Sequence, residues 1–270
     1  MTKYVNGEIS GTTTEYYANG SKRVEKAYLL GEIAALTNYD SLGVVLSKAS
    51  YKDGMPWEGT INETYNNSQI TYKEGVAVLE KRYHANGTLI FKKDLTVEES
   101  YDSTGVCIAH LDYVDGMPYN GKSIYSYYDE VSSVTEYKNG VITLSVSYSG
   151  GVESERTTYT DAGEIKERTE FFTNGKPKSV TSYVDGYERA MNFYSMDGLS
   201  IGKCTIDENG NYDGVKYSYN GDVVNGYEEY ENGKISRLKS YNSESVLISD
   251  VDYNIVRECM YKTLLKGNNT

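Results

Sequence analysis

The stretch YKNGVITLSVSYSGG, residues 137–151, decides how the rest of the chain is read. Asn139-Gly140 supplies positive φ at little steric cost, as a two-residue hairpin turn requires. After the turn the residues alternate. Ile142, Leu144, Val146 and Tyr148 fall on one strand face, and Val141, Thr143, Ser145 and Ser147 fall on the other. The tyrosine closes the apolar row just before the next turn.

The same unit recurs in both directions. A tyrosine followed by a turn ending in glycine begins at Tyr4, Tyr17, Tyr28, Tyr39, Tyr51, Tyr72, Tyr83, Tyr101, Tyr113, Tyr137, Tyr159, Tyr183, Tyr194 and Tyr230, with Phe172 standing in once. Tyr17, Tyr28 and Tyr39 are 11 residues apart, as are Tyr137, Tyr148 and Tyr159. Between turns lie segments of strand length rich in Val, Ile, Thr and Tyr. Some strands, such as SKRVEKAY and EIKERTEF, are polar on both faces, so no thick core can enclose them. The expected fold is all-β: an elongated antiparallel meander of tandem β-hairpin repeats over residues 1–254, with at least one face wet. Residues 255–270 lack the signature and are expected to cap the array. Val256, Met260 and Leu264 would share one face of a short helix ending at Gly267.

Composition bounds the function. There are 29 tyrosines against one tryptophan and four phenylalanines. Rings packed by their bodies with hydroxyls near water make a shallow core, or anchors on a binding surface. The net charge of −12 makes nucleic acid and anionic membrane poor partners and favours a protein with a basic surface. No stretch is apolar enough to insert in a membrane, and MTKYVNGEISGTTT has no apolar signal region, so a cytoplasmic location is expected. Cys107, Cys204 and Cys259 are far apart and odd in number, which fits reduced thiols.

Two segments interrupt the period: DGMPWEG at 53–59 and DGMPYNG at 115–121. One reading is an extended turn with proline at a strand edge. The other is a protruding loop that presents Trp57 and Tyr119. The spacing also breaks at Tyr65 to Tyr72 and at Tyr83 to Tyr101, by 7 and 18 residues.

The units Y-x-N-G and Y-x-D-G with G-x-P-Y-x-G resemble the MORN-repeat-variant family, the YwqK-like antitoxin and immunity proteins of bacteria. Tyr51 to Gly59, Tyr113 to Gly121, Tyr137 to Gly140, Tyr183 to Gly186 and Tyr230 to Gly233 carry the resemblance. It implies stacked hairpins and members that neutralise toxins encoded beside them.

No catalytic set emerges. His84 and His110 are separate surface residues, and no HExxH, G-x-S-x-G or P-loop occurs. DENGNYDG, residues 207–214, alternates oxygen ligands like a calcium loop, but its sixth residue is Tyr212 and its twelfth Ser218; two adjoining turns explain it. Glu228 and Glu229 are adjacent, so in a strand they face opposite ways. The expectation is a binding protein without cofactor or metal, not an enzyme: an immunity protein whose partner is a cognate protein toxin or secreted effector. The alternative is a scaffolding MORN-type repeat protein. Trp57, Tyr119, Tyr125, Tyr127 and Tyr128 are the expected anchors, and Asp53, Asp115 and Asp129 the expected acidic contacts.

Overall fold

A computed structural model describes residues 2–5, 7–63, 67–127 and 130–254. The chain divides into two compact units, Met1–Ser123 and Ile124–Thr270. The first holds β1 (Thr2–Val5), β2 (Glu8–Tyr16), β3 (Lys22–Leu29), β4 (Glu32–Tyr39), β5 (Val45–Lys52), β6 (Met55–Glu63), β7 (Ser68–Lys73), β8 (Val76–Tyr83), β9 (Leu89–Asp94), β10 (Val97–Tyr101), β11 (Cys107–Val114) and the start of β12 (Met117–Tyr127). The second holds the end of β12, then β13 (Glu130–Lys138), β14 (Val141–Ser149), β15 (Val152–Tyr159), β16 (Ile165–Phe171), β17 (Pro177–Val184), β18 (Tyr187–Tyr194), β19 (Ser200–Ile206), β20 (Tyr212–Asn220), β21 (Val223–Glu231), β22 (Lys234–Tyr241) and β23 (Leu247–Asp252). Within each unit successive strands pair antiparallel, so the all-β hairpin meander is the fold. Residues 253 and 254 are helical, and the expected cap at 255–270 lies outside the described residues.

The turns are of two kinds. Two-residue turns put both central residues at positive φ, as at Asp53 (51°) and Gly54 (75°) or Asp115 (50°) and Gly116 (77°). That twist matches the flanking strands. Longer loops are closed by a side chain: the Asp40 carboxylate accepts from the backbone N–H groups of Leu42 and Val44, and Asp102 does the same for Thr104 and Val106. In the first unit the kinds fall on different edges except at β9–β10, an odd-to-even turn that the Asp94 carboxylate closes without positive φ. Leu30-Gly31, Asp53-Gly54, Glu74-Gly75 and Asp115-Gly116 each join an odd strand to the next even one, so they share one edge. The loops after β2, β4, β8 and β10 lie on the other.

Nearly every turn is preceded by tyrosine, and there the register shifts. Ser147 pairs with Glu155 but Tyr148 with Glu153, leaving Ser154 as an extra residue on the return strand. The same bulge follows Tyr28, Tyr39, Tyr51, Tyr113, Tyr183 and Tyr230. A bulge bends its strand and raises the local twist.

The core is thin. In the first unit Ala49, Phe91, Ala109 and Leu111 are buried; in the second Val146, Phe172, Met191, Phe193 and Cys204 are. Ile201, Ile206, Tyr212, Tyr217 and Tyr219 pack around Met191, Phe193 and Cys204. On β14 Val146 of the expected apolar row is buried, while Ile142, Leu144 and Tyr148 are half-buried, as are Val141, Thr143, Ser145 and Ser147 on the other face. Three glycines cross the deepest points. Gly59 lies opposite Ala49, Gly121 opposite Leu111 and Gly214 opposite Cys204, at φ of 103°, 117° and 106°. A Cβ on them would stand 2.2, 2.1 and 2.3 Å from the carbonyl oxygens of Lys48, His110 and Lys203. Only glycine lets the two backbones approach so closely.

Several expectations are corrected. The DGMP segments are neither extended turns nor protruding loops: Asp53-Gly54 and Asp115-Gly116 are two-residue turns, and Met55 and Met117 already begin strands. The 18-residue gap before Tyr101 holds a hairpin, β9–β10, whose turn is closed by the Asp94 carboxylate accepting from Thr96 and Val97 N–H in place of a glycine signal. DENGNYDG is one turn followed by a strand: Asp207 accepts from Asn209 and Asn211 N–H, and Tyr212 opens β20.

The glycine geometry yields a direct test. Gly121→Ala is expected to cost about 3 kcal/mol or more, since both φ and the His110 carbonyl oppose a methyl. Gly116→Ala, with open space around it, should cost only the backbone strain of about 1–2 kcal/mol. Denaturant midpoints of the two variants measure the difference; equal losses would refute the close-approach role.

Candidate interaction surface

The acidic turn residues Asp53 and Asp115 sit on the tight-turn edge of the first unit, where the left-handed conformation suits aspartate better than most residues. Trp57 and Tyr119 are the extra bulge residues that follow these turns. The bulge aims Trp57 along the sheet. The Lys52 ammonium lies 4.4 Å from its ring centroid, and the ring backs onto Gly75, where a Cβ would meet it at 3.2 Å. The Trp57 carbonyl accepts the Gly75 N–H at 2.9 Å, and Glu58 accepts the Glu74 N–H at 3.1 Å. Trp57 thus seats the neighbouring turn. Tyr212 repeats this in the second unit: its carbonyl accepts the Gly233 N–H, and its ring lies 5.1 Å from that of Tyr230. Tyr119 is 37% exposed and Tyr125 60%. Tyr127 ends β12, nothing further is described of its side chain, and Tyr128 and Asp129 lie outside the described residues.

The structure adds residues that the repeat pattern did not single out. On the tight-turn edge Met55, Val76 and Met117 are 70%, 56% and 70% exposed, and Leu29, Leu30, Leu95 and Val114 are exposed beside them. Met55 and Val76 pair across their turns with Lys52 and Lys73, and Met117 pairs with Val114. Each occupies the last rung before a turn, so these side chains take equivalent places from hairpin to hairpin. Each follows an acid-glycine pair: Asp53-Gly54-Met55, Glu74-Gly75-Val76 and Asp115-Gly116-Met117. That triplet was the available signal. No ion pair engages Asp53, Glu74 or Asp115 among the described residues.

Several tyrosines are coupled to carboxylates. Tyr39 donates to Glu25 at 3.0 Å, Tyr101 to Glu99 at 2.8 Å, Tyr227 to Glu229 at 3.0 Å and Tyr230 to Glu228 at 2.8 Å. The adjacent Glu228 and Glu229 therefore serve different tyrosines. Burial, and then the neighbouring carboxylate, push Tyr101, Tyr227 and Tyr230 up to about 12. The deepest carboxylate is Glu98, which accepts from Ser123 at 2.7 Å, Tyr113 at 2.9 Å and Lys93 at 3.1 Å. Burial works to raise its pKa, but these three donors outweigh it and hold the group below its ordinary 4.5. His110 is exposed, with Nε2 3.0 Å from Asp112, and His84 lies in the turn between β8 and β9. Cys204 is fully buried and Cys107 exposed. Among the described residues no cluster of His, Cys, Asp and Glu could hold a metal ion, and no helix is long and apolar enough to cross a membrane.

No protein-family model matches the chain, and no curated protein matches it. Among solved structures, the crystal structure of TcdB2-TccC3-Cdc42 is similar over 89% of this chain at 11% identity and a TM-score of 0.14. TcdB2-TccC3 without its hypervariable C-terminal region is similar over 89% at 10% identity and a TM-score of 0.15. This chain covers 18% of each of those chains, and the scores are too low to indicate a common fold.

Glu98 generates a pH prediction. Its folded pKa is depressed, so its contribution to stability is present above pH 4.5 and lost as the pH falls through the folded value. Glu98→Gln should therefore unfold at a lower temperature than the parent at pH 7, with the gap narrowing in acid. Thermal melts of both proteins from pH 7 to pH 3 check this; a gap that is constant or widens would contradict it.

Proposed function

We propose that this protein binds another protein through the tight-turn edge of its first unit, and that it acts as an immunity protein or antitoxin against a toxin or secreted effector. One observation carries the binding reading: Met55, Val76 and Met117 are exposed on equivalent rungs, each two residues after a carboxylate that no ion pair engages among the described residues. Ordered rows of exposed apolar side chains mark interaction sites. The edge is built from two-residue turns on a continuous hydrogen-bonded ladder, so little ordering entropy opposes docking. The step from binding to immunity rests on the resemblance of the Tyr-x-Asp-Gly and Gly-x-Pro-Tyr-x-Gly units to the antitoxin family. The negative charge suits a basic toxin and would speed its association.

The test is protection. Cells producing the toxin encoded beside this gene should survive when the chain is co-produced. The double variant Met55→Asp, Met117→Asp should bind that toxin at least tenfold more weakly and fail to protect, with its melting temperature unchanged. Survival that does not depend on the chain, or full protection by the variant, would refute the reading.

A further inference from the structure

We infer that the tight-turn edge of the first unit receives a basic amphipathic helix, whose apolar and cationic side chains repeat every seven residues. This rests on the reading of that edge as the partner-binding surface and names the shape and chemistry that fit it.

The spacing comes first. Turns on one edge are separated by two strands, and strands lie about 4.8 Å apart, so the apolar positions repeat at about 9.6 Å. Met55, Val76 and Met117 hold the first rung after their turns, and Leu30 and Leu95 stand inside the turns at two further steps of that edge. A helix rises about 1.5 Å per residue, so side chains on one face recur every seven residues at about 10.5 Å. The mismatch is about 1 Å per step, within the reach of flexible methionine side chains. An extended strand covers a similar distance in three residues, about 10 Å, but three residues reverse the face. It would point every second side chain away from the edge. Two or four residues keep the face but give about 6.6 or 13 Å, neither of which fits.

The charge comes second. Asp53, Glu74 and Asp115 each stand two residues before the apolar position, and none is engaged in an ion pair among the described residues. Glu32 adds a carboxylate after the Leu30-Gly31 turn, whereas Asp94 is taken up by the Thr96 and Val97 N–H groups and lies 4.0 Å from the Lys92 ammonium. Of the two lysines beside these turns, Lys52 is drawn back over Trp57 and Lys73 remains. Three turns of the edge thus pair an acid with an exposed apolar residue at equivalent positions, and their complement is a helix with one Leu-like and one Lys- or Arg-like residue per heptad.

The opposite edge supplies the control. Leu42, Val44 and Val106 are exposed there too. Those positions sit on longer loops, and the intervening loop after β8 presents Thr88 in the place of Val44 and Val106. That edge has apolar residues without the repeat.

The probes are synthetic 28-residue helical peptides, tested against the full chain by calorimetry. One carries Leu and Lys at seven-residue spacing, one replaces every Lys with Glu, and one scrambles the order at constant composition. The first should bind at least tenfold more tightly than the other two, and more weakly as salt rises. Its affinity should fall at least tenfold for Met55→Ser, Val76→Ser, Met117→Ser combined and for Asp53→Asn, Glu74→Gln, Asp115→Asn combined. It should be unchanged for Leu42→Ser, Val106→Ser. Equal binding of the scrambled or acidic peptide, no binding of the basic one, or loss through the opposite-edge variant would overturn the inference. A toxin that depends on Met55 and Met117 while the heptad peptide does not bind would leave the edge as the binding surface and remove the helix.

Discussion

Most hairpins depend on the place where the return strand takes in one residue more than the strand it answers. At Tyr148 the extra residue is Ser154, at Tyr51 it is Trp57, and at Tyr113 it is Tyr119. A bulge interrupts the ladder and would be a weakness if left exposed. Tyrosine is the residue beside it because a ring can cover the bent backbone while its hydroxyl reaches a partner on a neighbouring rung. Tyr113 reaches Glu98 from the adjoining strand, and Tyr39 reaches Glu25 on the strand before its own at 3.0 Å. Where the partner is a carboxylate, as for Tyr39, Tyr101, Tyr113, Tyr227 and Tyr230, the phenol and the acid serve one another.

Such a sheet has little volume in which to bury side chains. It compensates by bringing backbones together where the core is deepest. Leu111 and Cys204, 1% and 0% exposed, lie opposite Gly121 and Gly214, whose missing side chains allow the approach. The aromatic two residues earlier seats the next turn on the same edge, as Trp57 does for Gly75 and Tyr212 for Gly233. Close approach, aromatic and turn glycine form a linked set. That accounts for the [Trp/Tyr]-x-Gly triplets at 57–59 and 212–214.

The strand architecture was legible because hairpin turns and strand alternation are local and write themselves into consecutive residues. YKNGVITLSVSY needs no distant partner to be understood. Failures came where a different chemistry solved the same local problem. Asp94 closes a turn with its carboxylate, so no glycine announced β9–β10. In DGMPWEG the proline suggested an interruption, although Pro56 pairs opposite Tyr51 within the ladder. Asp53, Trp57, Asp115 and Tyr119 were legible as special because they depart from the period. What sequence could not assign was the direction of each side chain across a bulge. Trp57 looks like an anchor and is seated against Lys52 and Gly75, whereas Met55 looks like filler and stands out.

The sorting of turns by edge gives the first unit its two distinct margins. A two-residue turn holds the residues before and after it as a directly opposed pair, with no freedom to fold back over their own side chains. Longer loops can tuck a residue inward or bond it to a neighbour, as Asn19 does with the Ser41 carbonyl at 2.8 Å. An apolar residue placed after a two-residue turn therefore remains outside unless something else covers it. Natural sheets usually place charge or polar groups at such exposed positions. Here Met55, Val76 and Met117 stand in that place on three of the hairpins, each preceded by an acid that would keep free copies apart through like-charge repulsion. Exposed apolar side chains supply attraction for a partner, and the interleaved carboxylates select against a second copy of the same edge.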